Sequence, residues 1–574
     1  MSTRQKEACD MVFYNSKIVT VDKHFSTAEA VAIGDEKFLK IGSNSDIRAL
    51  ATPATKELDL KGKMILPGFI DAHAHMIHAS AGRTTTISLY GVQSIRDIQE
   101  RIAAHVERTP AAKWVVASPI GDPPYFFNLP DALKEKRWPT RWDLDEVSPN
   151  NPVYIEAFYC KVPNNAIMNT YALKVAGITR ETPSEDRGVE IVKDPKTGEP
   201  NGQFHGMQII YNPSPMFSRL MSLLPRPSLE DMVNDLKVQI NDFNNPAGVT
   251  TAYEGHAVFP FEHLLPCKEL WDRNELNIRI FFAYEVDTKK SIGEIESWMK
   301  NMVHATRSGF GDDLLKMCGV TVSLDGPISH GLGLMDKPYL DPYGKPTTGV
   351  QLVSSDKLEE IAFLAAKYNF RLNVCICGGD KAADITLNVI QKVDKEIPIR
   401  DRRWVVQHFN FPTQEHIQRC KELGLFVSCS TNFEWGFGQE IYLERFGKDF
   451  LDKPVPLRRW LDAGIPVAQS TDYGPHQPMF TIWQSLKRIH GLTGDSYAGP
   501  DQKITRKEAL RIYTINGAKL LFAEDKLGSI EAGKLADLVV LDKDILNCPL
   551  DEIKETKVLM TLVGGKVVYN GGIE

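Results

Sequence analysis

Apolar and polar positions follow two textures along the chain. Near the start, Met11–Val19, Ala30–Ile33 and Phe38–Ile41 are short, partly β-branched apolar runs broken by Gly34-Asp35 and Gly42-Ser43, as expected of strands and turns. The same texture returns in Leu538–Leu541, Val558–Val563 and Lys566–Tyr569, with Gly564-Gly565 as a tight turn. Strand-like ends around a long α/β middle predict one small β-sandwich built from both chain termini. In the middle, apolar runs of strand length alternate with helical stretches, the pattern of a parallel sheet covered by helices. The strand candidates are Ile65–Ile70, Pro152–Phe158, Thr250–Glu254, Ile278–Tyr284, Met317–Ser323, Arg371–Ile376, Trp404–Gln407, Leu425–Ser428 and Pro466–Ser470. They are one more than a (β/α)₈ TIM barrel needs. Counting back from Pro466–Ser470 as the eighth makes Thr250–Glu254 the second. Pro152–Phe158 then falls in an insertion of about residues 80–240, rich in Pro, Trp and charge. The predicted division is 1–64 for the first part of the sandwich, 65–522 for the barrel with its insertion, and 523–574 for the rest of the sandwich. The insertion is expected as a subdomain over the barrel mouth; a structural extension with no part in substrate choice is the alternative.

Composition narrows the function classes. The chain has 574 residues, 43% of them hydrophobic, and a formal net charge of -7. A large core can be buried, and no basic face points to nucleic acid. The nine cysteines show no paired spacing and read as reduced thiols of a cytoplasmic protein. The N-terminal stretch lacks a long apolar segment with a small-residue cleavage site, and no apolar run approaches the roughly 18 residues that span a bilayer. A small molecule is the expected partner, with neither nucleic acid nor membrane; a homodimer is left open.

One string carries chemistry. Residues 64–75 read Met-Ile-Leu-Pro-Gly-Phe-Ile-Asp-Ala-His-Ala-His, an apolar strand ending in His73-Ala74-His75. Side chains alternate along a strand, so the two imidazoles share a side. At the C-terminal end of a barrel strand that side is the mouth, where catalytic groups of this fold sit. Two imidazoles there form half of a site for zinc or a similar ion. A bare His-x-His is weak, because such triplets are usually surface or core histidines.

The full string resembles the first-strand signature of the amidohydrolase superfamily. Gly528–Val539, with Ala536-Asp537-Leu538, resembles that family's return into its β-sandwich, and Thr505–Leu521, with Asn516-Gly517-Ala518, resembles the preceding helix. The long insertion and the run from Asp325-Gly326 to Asp336-Lys337-Pro338-Tyr339 resemble the YtcJ-like branch (amidohydrolase family 3), which includes N-substituted formamide deformylase. The resemblance implies a divalent metal, zinc being expected, held by His73, His75 and Asp472, with His408 as a further ligand or a partner of the nucleophilic water. Asp472 ends the eighth strand and His408 the sixth. The fifth strand departs from the branch pattern: Asn373–Asp380 has no histidine, and Cys375 or Cys377 is the tentative substitute, against the reading of an inert buried thiol. The fourth strand departs too, with Thr321 where binuclear members carry a bridging lysine. Without that shared anion, one ion is favoured over two. Glu254, His256, His330 and Tyr473 are tentative substrate-side residues.

The implied reaction is hydrolysis of an amide-type C–N bond by ion-activated water, with Asp472 as general base and then acid. Tyr125, Phe126, Phe127, Phe158, Tyr159, Phe433, Trp435 and Tyr473 hint at an aromatic or N-substituted substrate, though most aromatics are core. Arg83 and Arg141 can pair a substrate carboxylate or be surface charge. The altered strands keep open a decarboxylase, hydratase or isomerase on the same scaffold, and a relative without catalysis.

Overall fold

The computed structural model describes residues 9–121, 129–158, 162, 164–185, 188–207, 214–258, 264–305, 310–376, 378–450, 453–494 and 499–573. Eight parallel strands form the central sheet: β1 (Phe69–Asp71), β2 (Val249–Val258), β3 (Arg279–Glu285), β4 (Leu315–Ser323), β5 (Leu372–Ile376), β6 (Val405–His408), β7 (Phe426–Cys429) and β8 (Val467–Gln469), each beside the next. The sheet closes between β8 and β1. Ala72 N donates to Gln469 O at 3.1 Å, and Asp472 N donates to His73 O at 3.1 Å. Asp71 accepts from Thr471 N at 3.1 Å and from the Thr471 hydroxyl across the same seam. The barrel interior is apolar towards its base, with Ile70, Tyr253, Phe281, Val405, Phe426 and Ala468 in one cluster. Higher up it is polar. Burial on both faces accounts for the continuous apolar character of these strands.

The two chain ends build the sandwich. One sheet holds Lys37–Gly42, Ala30–Gly34, Met11–Tyr14 and Lys56–Asp59. The other holds Lys566–Asn570, Val558–Val563, Leu538–Leu541, Met64–Pro67, Lys17–Val19 and Thr27–Ala28. Phe13, Val31, Phe38, Ile65, Leu538 and Leu562 pack in one core. The run predicted as a single strand, Ile65–Ile70, is therefore two. Met64–Pro67 belongs to the sandwich and Phe69–Asp71 to the barrel. Gly68 makes the step: a Cβ there would lie 2.2 Å from the Thr250 hydroxyl, and its N–H donates to Asp537 O at 3.0 Å.

Asp537 ties the two units together. The Arg279 guanidinium, at the start of β3, donates two parallel 2.8 Å hydrogen bonds to its carboxylate, and Gly564 N adds a third at 2.7 Å. Both side chains are buried. Asn516 likewise serves structure, donating to Val467 O at 2.9 Å.

The candidate Pro152–Phe158 lies outside the barrel, as the strand count requires. Val153–Ile155 joins Glu190–Lys193, Pro200–His205, Asn165–Met168 and Val115–Ala117 in a separate five-stranded sheet with its own apolar clusters. This insertion meets the barrel at the loops following the strands. Arg445 donates to Ser329 O at 2.8 Å and to Val162 O at 3.2 Å, and Phe158 packs on the barrel's main core. Among the described residues no helix is long and apolar enough to cross a membrane, and the described cysteines are free thiols.

Candidate metal centre

Past the end of β1 the chain turns sharply. His73 N donates to Asp71 Oδ1 at 3.2 Å and Ala74 N to Tyr253 O at 3.1 Å, which fixes the segment against β2. His75 adopts a left-handed backbone (φ 46°) and a short helix, Met76–Ser80, follows. The result brings the two imidazoles together, with Nε2 atoms 2.9 Å apart. Two nitrogens of one tetrahedral ion at 2.0–2.1 Å would lie about 3.3 Å apart, so the pair is close to ligand geometry.

Asp472 and His408 arrive from the far side of the barrel. Asp472 Oδ2 lies 3.4 Å from His73 Nε2, 4.0 Å from His75 Nε2 and 3.6 Å from His408 Nδ1. His408 (φ 66°) and Asp472 (φ 52°) are left-handed as well. For a residue other than glycine each such turn costs on the order of 1–2 kcal/mol. Hydrogen bonds hold them: Asp472 N to His73 O, Tyr473 N to Asp472 Oδ1 at 2.7 Å, and Phe409 N to Ile376 O at 3.3 Å. The side chains leave the strand ends at angles that straight strands would not give.

His256 joins the group, although the sequence places it only on the substrate side. Its ring stacks on His73 (centroids 4.8 Å) and meets His75 edge-on at 4.8 Å. Alternation from Tyr253, whose hydroxyl is inside the barrel with Asn373, would turn residue 256 outward. The β2–β3 register breaks between Glu254 and Val258, and that break turns the imidazole inward. His73, His75 and His256 form one set of donor atoms within 4.8 Å of one another; His73, His408 and Asp472 form a second, and His256, Cys375 and His408 a third. Cys377 lies outside the described residues, as do Tyr125, Phe126, Phe127 and Tyr159.

Other expected residues have different placements. Glu254 supports His75 from behind: Oε1 accepts from Met76 N at 2.6 Å and Ile77 N at 3.2 Å. It therefore caps the helix that the metal-site turn leads into and does not face substrate through that oxygen. Glu254→Ala should weaken ion affinity about 10- to 100-fold, as loss of a ligand's supporting shell does; equilibrium metal titration checks this, and unchanged affinity would remove the supporting role. His330 Nδ1 pairs with the Ser329 hydroxyl at 3.0 Å and belongs to none of the donor sets. Tyr473 is buried, with its hydroxyl donating to Asn432 O at 2.6 Å and its ring stacked on Phe437 at 5.2 Å. It acts as wall. Phe433 completes that wall, edge-on to His408 at 5.4 Å. Thr321 is buried at the fourth strand with no side-chain hydrogen bond among the described residues, and it brings no anion. Arg83 is engaged with Gln239 Oε1 at 3.0 Å and lies over Phe243, and Arg141 lies over Trp142.

Sequence reading missed Asp71, whose carboxylate spans the closing seam, and His476, 3.5 Å from the Thr471 hydroxyl. The Asp of the first-strand string was the available signal for the former.

Burial sets the electrostatics. It holds His73 and His75 well below the usual imidazole range, reinforced by their neighbouring imidazoles, and takes His408 down to about 3. The rings are thus neutral, with lone pairs available as ligands. Burial pushes Asp472 up to about 7. Asp472 Oδ2 is buried with no hydrogen-bond donor among the described residues. Neutral imidazoles around a buried, unpartnered carboxylate oxygen suit a borderline cation such as zinc. The ion needs the carboxylate ionised, so it must displace the Asp472 proton below pH 7 and nothing above it. Affinity should fall about tenfold per pH unit below 7 and flatten above, with one proton released per ion. Metal titration between pH 5.5 and 8 tests this; a slope of two or more protons would mean that the imidazoles are protonated too.

Comparison with known proteins gives a consistent picture. The amidohydrolase family profile matches residues 56–569. N-substituted formamide deformylase of Arthrobacter pascens is 27% identical over 590 aligned positions, covering 98% of this chain and 98% of that protein. The putative amidohydrolase YtcJ of Bacillus subtilis is 24% identical, covering 97% of this chain and 99% of that one. The crystal structure of an uncharacterized metal-dependent hydrolase from Pyrococcus horikoshii superposes with a TM-score of 0.70 at 21% identity, over 94% of this chain and 99% of the other.

Proposed function

The chain belongs to the amidohydrolase family, and from that membership we propose that it hydrolyses the C–N bond of a small N-substituted or aromatic amide, with Asp472 moving the protons. It is a metal-dependent hydrolase of C–N bonds by family; the substrate and the residue roles are the proposal. What carries the reading is the convergence, at the barrel mouth, of His73, His75 and His408 on Asp472 Oδ2 within 3.4–4.0 Å.

A divalent ion, when bound, lowers the pKa of water towards about 7 and polarises a carbonyl. His73, His75 and Asp472 would hold it, with His408 beside them. Asp472 Oδ2 accepts a proton from the attacking water, and its high proton affinity in this buried setting suits it to that task near neutral pH. The same oxygen then delivers the proton to the leaving nitrogen. His408, kept neutral by burial, is placed to orient the water or the carbonyl oxygen. Phe433 and Tyr473 form an apolar flank that excludes bulk water and suits an aromatic or alkyl N-substituent. Free thiols accord with work in a reducing compartment such as the cytoplasm.

The test is a panel of N-benzyl, N-aryl and N-alkyl formamides and acetamides, assayed for amine and for acid. Equimolar amine and carboxylate, lost on chelation and regained with zinc, is the expected result. Turnover of any of these without consumption of water, or turnover indifferent to chelation, would sink the reading.

A further inference from the structure

The buried donors divide into two sets of three that share no residue. His73, His75 and Asp472 come from the seam between the first and last strands. His256, Cys375 and His408 come from β2, β5 and β6, and their donor atoms lie within 4.8 Å of one another. All three are buried. We propose that the second set is a cation site in its own right, a thiolate-containing pocket that holds a second, soft ion beside the first. The inference rests on the proposed reading of the first set as a metal site.

Four observations support it. Strand register places Cys375 against Gln407 and Ile376 against His408, so the thiol and the imidazole leave neighbouring strands at the same level. His256 has the support that metal-bound histidines usually have: its Nδ1 lies 3.7 Å from Glu285 Oε2. Glu285 is itself fixed, with Oε1 accepting from Ser323 N at 3.1 Å and the Ser323 hydroxyl at 2.9 Å. The sets adjoin, since His408 Nδ1 is 3.6 Å from Asp472 Oδ2 and the His256 ring stacks on His73.

Charge is the objection to two neighbouring ions, because Thr321 supplies no shared anion. Cys375 answers it. On binding, its thiol loses one proton to solvent, and the thiolate gives the second ion an anion of its own while Asp472 serves the first. A sulfur and two imidazoles favour Zn²⁺, Co²⁺ or Cd²⁺ over Mg²⁺ or Mn²⁺. Tetrahedral donors around zinc lie roughly 3.3–3.6 Å apart, so the pocket must close by about 1 Å on loading.

The experiment is titration of chelator-stripped full-length protein with Co²⁺ alone, under reducing, oxygen-free conditions, with thermal melting of each variant as a fold check. Wild type should bind two equivalents and develop a near-ultraviolet sulfur-to-cobalt charge-transfer band. C375S should bind one equivalent with no band, and C375H should regain the second equivalent without the band. H73A should keep the band while losing an equivalent. One equivalent without a band in wild type overturns the second site and leaves the first standing; no binding at all overturns both. A band that survives in C375S overturns the assignment to Cys375. Should the variants fail to fold, zinc-edge X-ray absorption of loaded wild type decides: sulfur in the coordination shell supports the proposal, and a shell of nitrogen and oxygen alone overturns it.

Discussion

Asp472→Asn should yield a folded protein whose turnover at saturating metal is lower by about 10²- to 10⁴-fold, the usual contribution of a positioned general base. The substitution is conservative where structure is concerned. Asparagine tolerates the left-handed backbone at φ 52°, and its Oδ1 can still accept from Tyr473 N. What it lacks is a basic oxygen facing His73, His75 and His408. Ion affinity should also drop, so rates must be compared after metal saturation. A variant within a few-fold of the wild-type rate under those conditions would take the proton-transfer role away from Asp472.

The second large effect is on stability. Asp537→Ala should destabilise the protein by about 3–5 kcal/mol, the typical result of removing one partner of a buried ion pair. Arg279 would be left buried without its two 2.8 Å acceptors, and Gly564 N would lose its own. Chemical denaturation measures the loss. Arg279→Met together with Asp537→Leu should recover much of it, since the cost comes from the orphaned charge. A single variant within about 1 kcal/mol of wild type would show that water readily enters this junction, and that the pair is not the tie described above.

These predictions separate what the sequence reveals from what it hides. Long-range order was readable because each barrel strand is buried on both faces, which forces a continuous apolar run. The first and last strand ends were readable for a related reason: His73, His75 and Asp472 sit one or two positions past such runs. The step at Gly68 was not, because the demand for a missing side chain comes from the Thr250 hydroxyl, far along the chain. His256 was hidden by a register break that reverses the alternation used to orient it. Glu254 looked like a mouth residue because it ends an apolar strand, yet its orientation is set by two backbone N–H groups of a helix that begins 178 residues earlier. The insertion's sheet was nearly silent: its strands run three to six residues, and apart from Val153–Ile155 none was predicted.

The closing seam bears on how the protein is made. His73 emerges from the ribosome roughly four hundred residues ahead of Asp472, and the bond from Asp472 N to His73 O is what brings the two together. A nascent chain lacking β8 therefore holds an imidazole pair with no carboxylate beside it. Metal can be captured at full strength only once synthesis has passed the last barrel strand, so it cannot serve as an early template and instead locks a barrel that has already closed.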